Sequence, residues 1–411
     1  MRYLRPVLLG FAFVALLSAA VAGMPASSAV DAPSPDETAS DSQVVRTVPN
    51  TSNYLDIEQE NVERGEHGGA SLDVGAAVAM DATRLHTEHR SRTVDQALGG
   101  LDEDRPRRER LDVAVTRLET RMDALEQRQQ RAIERYNADE ITTGAFLAEL
   151  ALIDVTASGV ESQSQRLRQS AGVGLTERLD ERLDALEADL VTLRGPVRAR
   201  AGAAMAGQRP ATDVYVLTST NGLVLSTTDR ARAHREAHLP DDRAPNGPDQ
   251  FVTESDDSGI TAASTRASEL YPWAYADAGP SIQRLGRTSV YFVGLDHSHG
   301  ELETYLDGAT QSVFRERQRF RLGRVPTDTT TANETAQLAV RVNRTYGTGP
   351  MEVRVTDPAT GRPVDANVTI NQYRVGSTGP DGRLWTTAPH RSVRIEVTSG
   401  DDTVRVSFFA N

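Results

Sequence analysis

The sequence predicts a multidomain α+β protein: an antiparallel coiled-coil helical hairpin or three-helix bundle, a small α+β module, and a C-terminal β-sandwich. Three observations carry this. Between residues 111 and 197 apolar side chains recur in alternating steps of three and four, the period of packed helices. Beyond Pro210 the pattern alternates residue by residue around Asn221-Gly222, a hairpin signal. After residue 336 short alternating runs return about every ten residues between Gly- and Asp-rich turns, the rhythm of a small sandwich.

Arg2 and Arg5 precede an apolar run from Val7 to Met24, with Ala20-Val21-Ala22 as a small-residue cleavage motif. Residues 1–22 are therefore read as a secretory signal cut between Ala22 and Gly23. The same run is just long enough to span a bilayer, so a retained anchor stays open; either way the remainder is expected outside the cell. Residues 23–70 read as a disordered or extended linker, because the Ser, Asp, Pro and Thr of 26–50 bury too little to order a chain.

The helical domain is placed at 71–209. A helix at 72–98 closes on Gly99-Gly100, and heptad stretches follow at 111–136, 146–167 and 179–197. Asn137-Ala138-Asp139 and Gly172-Val173-Gly174 interrupt them, and connections this short make neighbours antiparallel. A parallel coiled coil between two chains would need both interruptions to stay helical.

The α+β module is placed at 210–325, with strands at 214–218 and 223–226, a surface loop at 240–260 and a helix at 261–275. Strands at 289–296, 301–306 and 311–321 complete it. A Thr-rich linker at 326–335 leads to the sandwich at 336–411. Its strands are expected at 337–343, 351–356, 366–373, 383–386, 393–398 and 403–409.

Composition indicates habitat. All 45 basic residues are arginine against 58 acidic ones, a net charge of −13. An acidic, lysine-free chain fits a GC-rich genome and a salt-filled medium, where screening extends only about 3 Å at 1 M. The absence of cysteine excludes disulfides, thiolate zinc sites, iron–sulfur clusters and a lipid-modified cysteine. The acidic balance speaks against a nucleic-acid partner. Glycosylation sequons at Asn50, Asn333, Asn343 and Asn367 all avoid the helical region, as expected of an exported glycoprotein.

Three stretches resemble known families. The run from Val353 to Val364, then Ala366-Asn-Val-Thr-Ile370 and Thr378-Gly-Pro-Asp-Gly-Arg383, resembles a carboxypeptidase regulatory-like (transthyretin-like) sandwich over 351–408. That resemblance implies a spacer or adhesion-type domain without chemistry of its own. Residues 261–318 are similar to a PepSY domain, through the helix ending at Tyr271-Pro272-Trp273, the strand Ser289-Val-Tyr-Phe-Val293, and the closing Tyr305-Leu-Asp-Gly-Ala-Thr310 with Val313-Phe314. Asn50-Thr-Ser-Asn-Tyr-Leu55, Ala70-Ser-Leu-Asp-Val-Gly75, Ala132-Ile-Glu-Arg-Tyr-Asn137 and Phe146-Leu-Ala-Glu-Leu150 resemble a haloarchaeal family of exported proteins over about 50–325. That family has no assigned activity, so it implies habitat and architecture alone.

Motifs of chemistry are sparse. His297-Ser298-His299 beside Asp296 could hold a metal, but without a third nearby histidine a polar hairpin turn is the simpler reading. His234 and His238 are spaced i, i+4 with Arg235 where a zincin needs Glu, so they read as a loop or helix start. His86 and His89 are expected on a solvent-facing helix surface. The sequence has no nucleophile elbow, phosphate loop or EF-hand. The Arg-rich runs 105–110 and 315–321 read as solvated faces or ion-pair networks, and Trp385 as sandwich core. Tyr271 and Trp273 flank a helix-ending Pro272, so the aromatic pair reads as core or as the wall of a groove.

No catalytic, cofactor or metal residue is therefore assigned. The expectation is an exported, non-enzymatic surface or envelope-associated protein of a halophilic archaeon. Its partner would be an envelope protein or its own copy through the coiled coil, and the membrane only if the span is retained. The rival is a secreted hydrolase or protease-inhibitor-like module centred on 210–325. The two separate on whether His234, His238, His297 and His299 converge in one pocket.

Overall fold

The computed structural model describes residues 45–48, 51–99, 104–171, 175–276, 279–327 and 329–409. The signal segment, the cleavage position at Ala22 and Gly23, and the sequon at Asn50 lie outside them. Among the described residues there are seven α-helices and three antiparallel sheets.

The first strand, β1 (Arg64–Ala70), falls inside the expected linker. It is followed by α1 (Val74–Gly99), α2 (Asp104–Asn137), α3 (Thr143–Ala171), α4 (Glu177–Leu190) and α5 (Pro196–Met205). The Asn137–Thr142 turn reverses the chain, and α2 and α3 run antiparallel. Arg107 bonds Ser170 O, Arg121 bonds Gln163, and Arg128 bonds Glu149, with partner numbers falling as the first rises. The third heptad stretch is not one helix: α4 stops at Leu190 and α5 restarts at Pro196. Gly195 takes an extended N-cap conformation, and Pro196 sits at the first helical position, where a missing N–H costs nothing.

Then come β2 (Thr212–Thr218), β3 (Leu223–Thr228), β4 (Arg232–His238), α6 (Ile260–Leu270), α7 (Pro272–Tyr275), β5 (Ser281–Arg284), β6 (Val290–His297), β7 (Gly300–Asp307) and β8 (Ser312–Arg321). With β1 they form one eight-stranded sheet in the order β1-β2-β3-β4-β8-β7-β6-β5. His234 and His238, expected in a loop or helix start, lie in β4.

The last segment holds β9 (Thr329–Glu334), β10 (Ala339–Arg344), β11 (Pro350–Thr356), β12 (Asn367–Ile370), β13 (Tyr373–Ser377), β14 (Arg383–Thr387), β15 (Ser392–Ser399) and β16 (Asp402–Phe409). Two sheets, β14-β11-β10-β9 and β13-β12-β15-β16, enclose a core of Val340, Val353, Val355, Val368, Ile395 and Val404. Most of the expected Thr-rich linker is the edge strand β9, whose β-branched threonines favour a pleated sheet. The expected strand at 366–373 is a strand and the start of another, reversed at Asn371 and Gln372, both with positive φ (47° and 74°).

The helical segment does not close its own core. Val214, Val216, Leu223 and Leu225 point from β2 and β3 into the cluster that holds Leu118, Leu150, Leu183 and Val197. At the centre lies α3, flanked by α1, α2, α4, α5 and β1. Its composition would suit a membrane span, yet 56% of its most apolar window is buried, as in a core helix. On the other sheet face, Leu55 and Ile57 pack with Leu217, Val224, Ala267, Tyr271 and Val293. The expected linker thus contributes both a strand and core residues.

Candidate functional site

At the middle of the large sheet, β4 and β8 pair antiparallel, with Ala237 opposite Glu316 and His238 opposite Arg315. Side chains alternate across a strand, so Arg235-Glu236 and Arg315-Glu316 each send one charge to either face. All four side chains are buried to within about one per cent of full occlusion.

On the helix-covered face, Glu236 is the pivot. Its carboxylate accepts from Arg198 Nε at 3.0 Å and from the Val197 N–H at 3.3 Å, and lies 3.6 Å from Arg315. Arg198 also donates to Gln129 at 2.7 Å and to Leu193 O at 2.8 Å, and Arg315 donates to Arg194 O at 2.5 Å. Asp154 accepts from the Gly195 N–H at 3.0 Å. Two carboxylates therefore meet the N-terminus of α5, where free N–H groups and the helix dipole favour anions. Burial pulls the Arg315 guanidinium down to about 9, with Arg317 and Arg198 adding to the shift and Glu236 opposing it. Burial also drives His238 well below the usual imidazole range, helped by Arg315 and Arg198.

On the opposite face, Arg235 and Glu316 pair at 2.9 Å. Arg235 also donates to Leu55 O at 2.6 Å and Thr348 Oγ1 at 3.0 Å, and pairs with Asp56 at 3.2 Å. Both Glu316 oxygens are engaged: one by Arg235 and Gln318, the other by the Leu55 N–H at 2.8 Å and the Tyr271 hydroxyl at 2.7 Å. Burial raises the Glu316 carboxyl, and Arg235, Tyr271 and Leu55 oppose that. Tyr54 and Tyr346 stack at 3.9 Å beside Arg235, and His390 reaches Asp56 at 3.1 Å.

These contacts join segments far apart in sequence. Leu55 and Asp56 come from the N-terminal stretch, Tyr271 from the α6–α7 corner, and Tyr346, Thr348 and His390 from the sandwich. Around them, Ser226 donates to Thr348 O at 2.7 Å, Thr228 to Trp385 O at 2.9 Å, and Tyr373 to Asp213 at 2.8 Å. His67 of β1 bonds Thr387 O at 3.2 Å, and burial lowers it to about 4. The arrangement is a clamp: Arg198, Glu236, Arg315, Arg235 and Glu316 each make at least one bond to another segment of the chain.

Trp385 belongs to this junction and not to the sandwich core. Its neighbour Leu384 takes the core, and the strand's alternation turns Trp385 toward Tyr54, Ala233 and Phe320. The four histidines of the central module divide between the sheet faces. His234 and His238 lie on the helix-covered side with Glu236, whereas His297 and His299 meet Trp273 on the other, at ring distances of 4.5 and 6.1 Å. His234 borders a cleft of about 450 Å³ with Arg194, Glu301, Glu303, Arg317 and Arg319. Burial lowers it to about 4, with Arg200 contributing, so its Nε2 accepts from Arg200 at 3.3 Å. The cleft's charges are matched in pairs: Arg317 with Glu303, and Arg319 with Glu301.

His86 and His89 are exposed on α1. Of the described sequons, Asn333 and Asn367 are exposed on β9 and β12, while Asn343 is half-buried and donates to Glu352 at 2.9 Å. The Arg-rich run 315–321 is strand β8, with Arg315 buried and Arg317 and Arg319 ion-paired, so it is no solvated helix face. Sequence reasoning singled out Tyr271 as core or groove wall without its bond to Glu316, and missed Asp56, Gln129, Arg198, Arg235, Glu236, Glu316 and Thr348 as a buried network. The available signal was the doubled Arg-Glu at 235–236 and 315–316 within segments of strand length.

The fold and junction define a multidomain α+β protein, with a helical layer on a large antiparallel sheet and a C-terminal sandwich fastened to it. Residues 1–210, just over half of the chain, match the Domain of unknown function (DUF7096), and the chain belongs to that family. Residues 214–326 match the Family of unknown function (DUF7094), and residues 329–406 match the Archaeal fibronectin-III type-like domain. No curated protein and no solved structure matches the chain.

Proposed function

We propose that this chain is an exported, non-enzymatic protein of a halophilic archaeon's cell surface or envelope, acting in structure or protein–protein interaction. The observation that carries the reading is the clamp around Arg235 and Glu316: its charged groups fasten the three matched segments together. A hydrolase would need such groups to converge on a substrate. The Arg2/Arg5 segment and apolar run support export, and exposed Asn333 and Asn367 would be accessible to a glycosylation machinery. The antiparallel α2–α3 pair, with its buried Leu111, Val115, Leu118 and Met122 seam, supports a coiled-coil interaction arm. Likeness of 351–408 to a carboxypeptidase regulatory-like sandwich and of 261–318 to PepSY would fit spacer modules. The hydrolase rival is weakened by the division of His234, His238, His297 and His299 between two sheet faces.

Fractionation at molar NaCl followed by mass spectrometry of the mature N-terminus tests this reading. The envelope or medium should hold the protein, starting near Gly23 or retaining the N-terminal span. A cytoplasmic chain beginning at Met1 would overturn it. Capture from the same envelope fraction should identify a protein partner or a second copy.

A further inference from the structure

The helix layer contains a second cleft, remote from the sheet clamp. Helices α1 and α2 each lie along α3 but scarcely meet one another. Close approach of α1 to α3 is fixed at Gly159, where an added Cβ would stand 2.7 Å from Thr87 Oγ1. Beyond that point a groove of about 430 Å³ remains between α1 and α2, floored by α3. Its size falls within the roughly 300–1,000 Å³ of small-molecule sites.

Helical spacing separates two kinds of lining residue. Val94 of α1, Ala114 and Leu118 of α2, and Leu167 of α3 supply apolar surface. Arg90, Arg117, Arg121 and Arg166 stand around them. None of these four makes an ion pair among the described residues, although acids outnumber bases by 13 in the whole chain. Arg121 donates to buried Gln163 at 2.8 Å, and Gln163 in turn reaches Thr87 O at 3.3 Å. Burial lowers the Arg121 guanidinium, and Arg90 and Arg117 add repulsion. Among the described residues the one carboxylate in the lining, Asp95, accepts from Ser170 at 3.2 Å. An apolar trough with uncompensated guanidinium groups complements a ligand that is apolar along its length and anionic at its head.

We infer that the α1–α2–α3 groove binds an anionic amphiphile, a single alkyl chain ending in a carboxylate or phosphate. The chain lies over Val94, Ala114, Leu118 and Leu167, and the head meets Arg90, Arg117, Arg121 and Arg166. This goes beyond the interaction role proposed above and rests on none of the clamp residues.

Titration calorimetry on the full exported chain at molar NaCl tests it, using dodecyl phosphate and dodecanoate below their micelle concentrations. Inorganic phosphate and dodecyl maltoside serve as head-only and tail-only arms. The expected result is saturable binding of the alkyl anions at one site per chain, with either control arm weaker by about tenfold or more. Arg117→Glu and Arg90→Glu, both at exposed positions, should each weaken dodecyl phosphate at least about tenfold with unchanged circular dichroism. Ala114→Phe, which narrows the trough, should weaken dodecanoate as well. A lack of saturable binding would overturn the inference, as would equal binding of either control arm or affinities indifferent to Arg117→Glu and Arg90→Glu. Envelope localisation is read independently, so failure here leaves the export reading standing.

Discussion

Arg235 and Glu316 lie 2.9 Å apart, each almost wholly removed from solvent. Breaking such a pair strands a charge, so Arg235→Met should cost about 3–5 kcal/mol in urea unfolding at molar salt. A double-mutant cycle with Glu316→Gln should recover part of that loss. A loss below about 1 kcal/mol would mean that water reaches the pair. This pair was hidden in the sequence because β4 and β8 are buried on both faces. Apolar alternation is the usual mark of a strand, and Arg-Glu-Arg-Gln-Arg at 315–319 lacks it. His67 gives a pH signature. Its folded pKa is about 4 against an ordinary 6.5, so the unfolded chain binds its proton first as pH falls. Its stabilising contribution is complete above 6.5 and is lost between 6.5 and about 4, by roughly 3 kcal/mol at most. His67→Gln should flatten the stability–pH slope in that window; an unchanged slope would assign the dependence to other groups.

Strand β1 and helix α4 show what elements add. Gly68 approaches α3 so closely that an added Cβ would stand 2.4 Å from Thr143 Cγ2. Gly68→Val should therefore push β1 away from α3 and cost about 1–3 kcal/mol, with faster amide exchange in 64–70. Ordinary exchange there would show that β1 is not held by this contact. Leu186 tests the shared core. The heptads alone imply that Leu186→Asp unfolds an isolated helical unit. Because Val214, Val216, Leu223 and Leu225 occupy the same cluster, protection should be lost in β2 and β3 together with α4. Retained protection in β2 and β3 would restore the independent unit. The long helices and the Asn221-Gly222 hairpin were legible because period and turn chemistry agree there. β1 was not, since its Arg-Gly-Glu-His-Gly-Gly-Ala sequence has no apolar alternation and its hydrogen bonds come from β2, more than a hundred residues away. The α4–α5 break was legible in Gly195-Pro196, but the run of leucines from Leu179 to Leu193 outweighed it.

At the scale of the whole molecule, net charge and the clamp act in opposite senses. A charge of −13 resists compaction, and the exposed Arg–Glu pairs are screened by salt. The thermal midpoint should fall as NaCl drops from molar to about 0.1 M, where screening weakens. A flat profile would reduce the composition to a codon signature. The buried pairs at Arg198–Glu236 and Arg235–Glu316 are shielded from bulk ions and should hold the matched segments together throughout. The chain's two tryptophans report on separate segments, Trp273 in α7 against the large sheet, Trp385 in the sandwich at the junction. The most direct measurement is urea unfolding at molar NaCl of two variants, Trp273→Phe and Trp385→Phe, each followed by its remaining tryptophan and by helical circular dichroism. If the clamp makes one cooperative body, the fluorescence and dichroism transitions coincide within each variant. Helix unfolding with an intact Trp385 signal in Trp273→Phe, or with an intact Trp273 signal in Trp385→Phe, would contradict it.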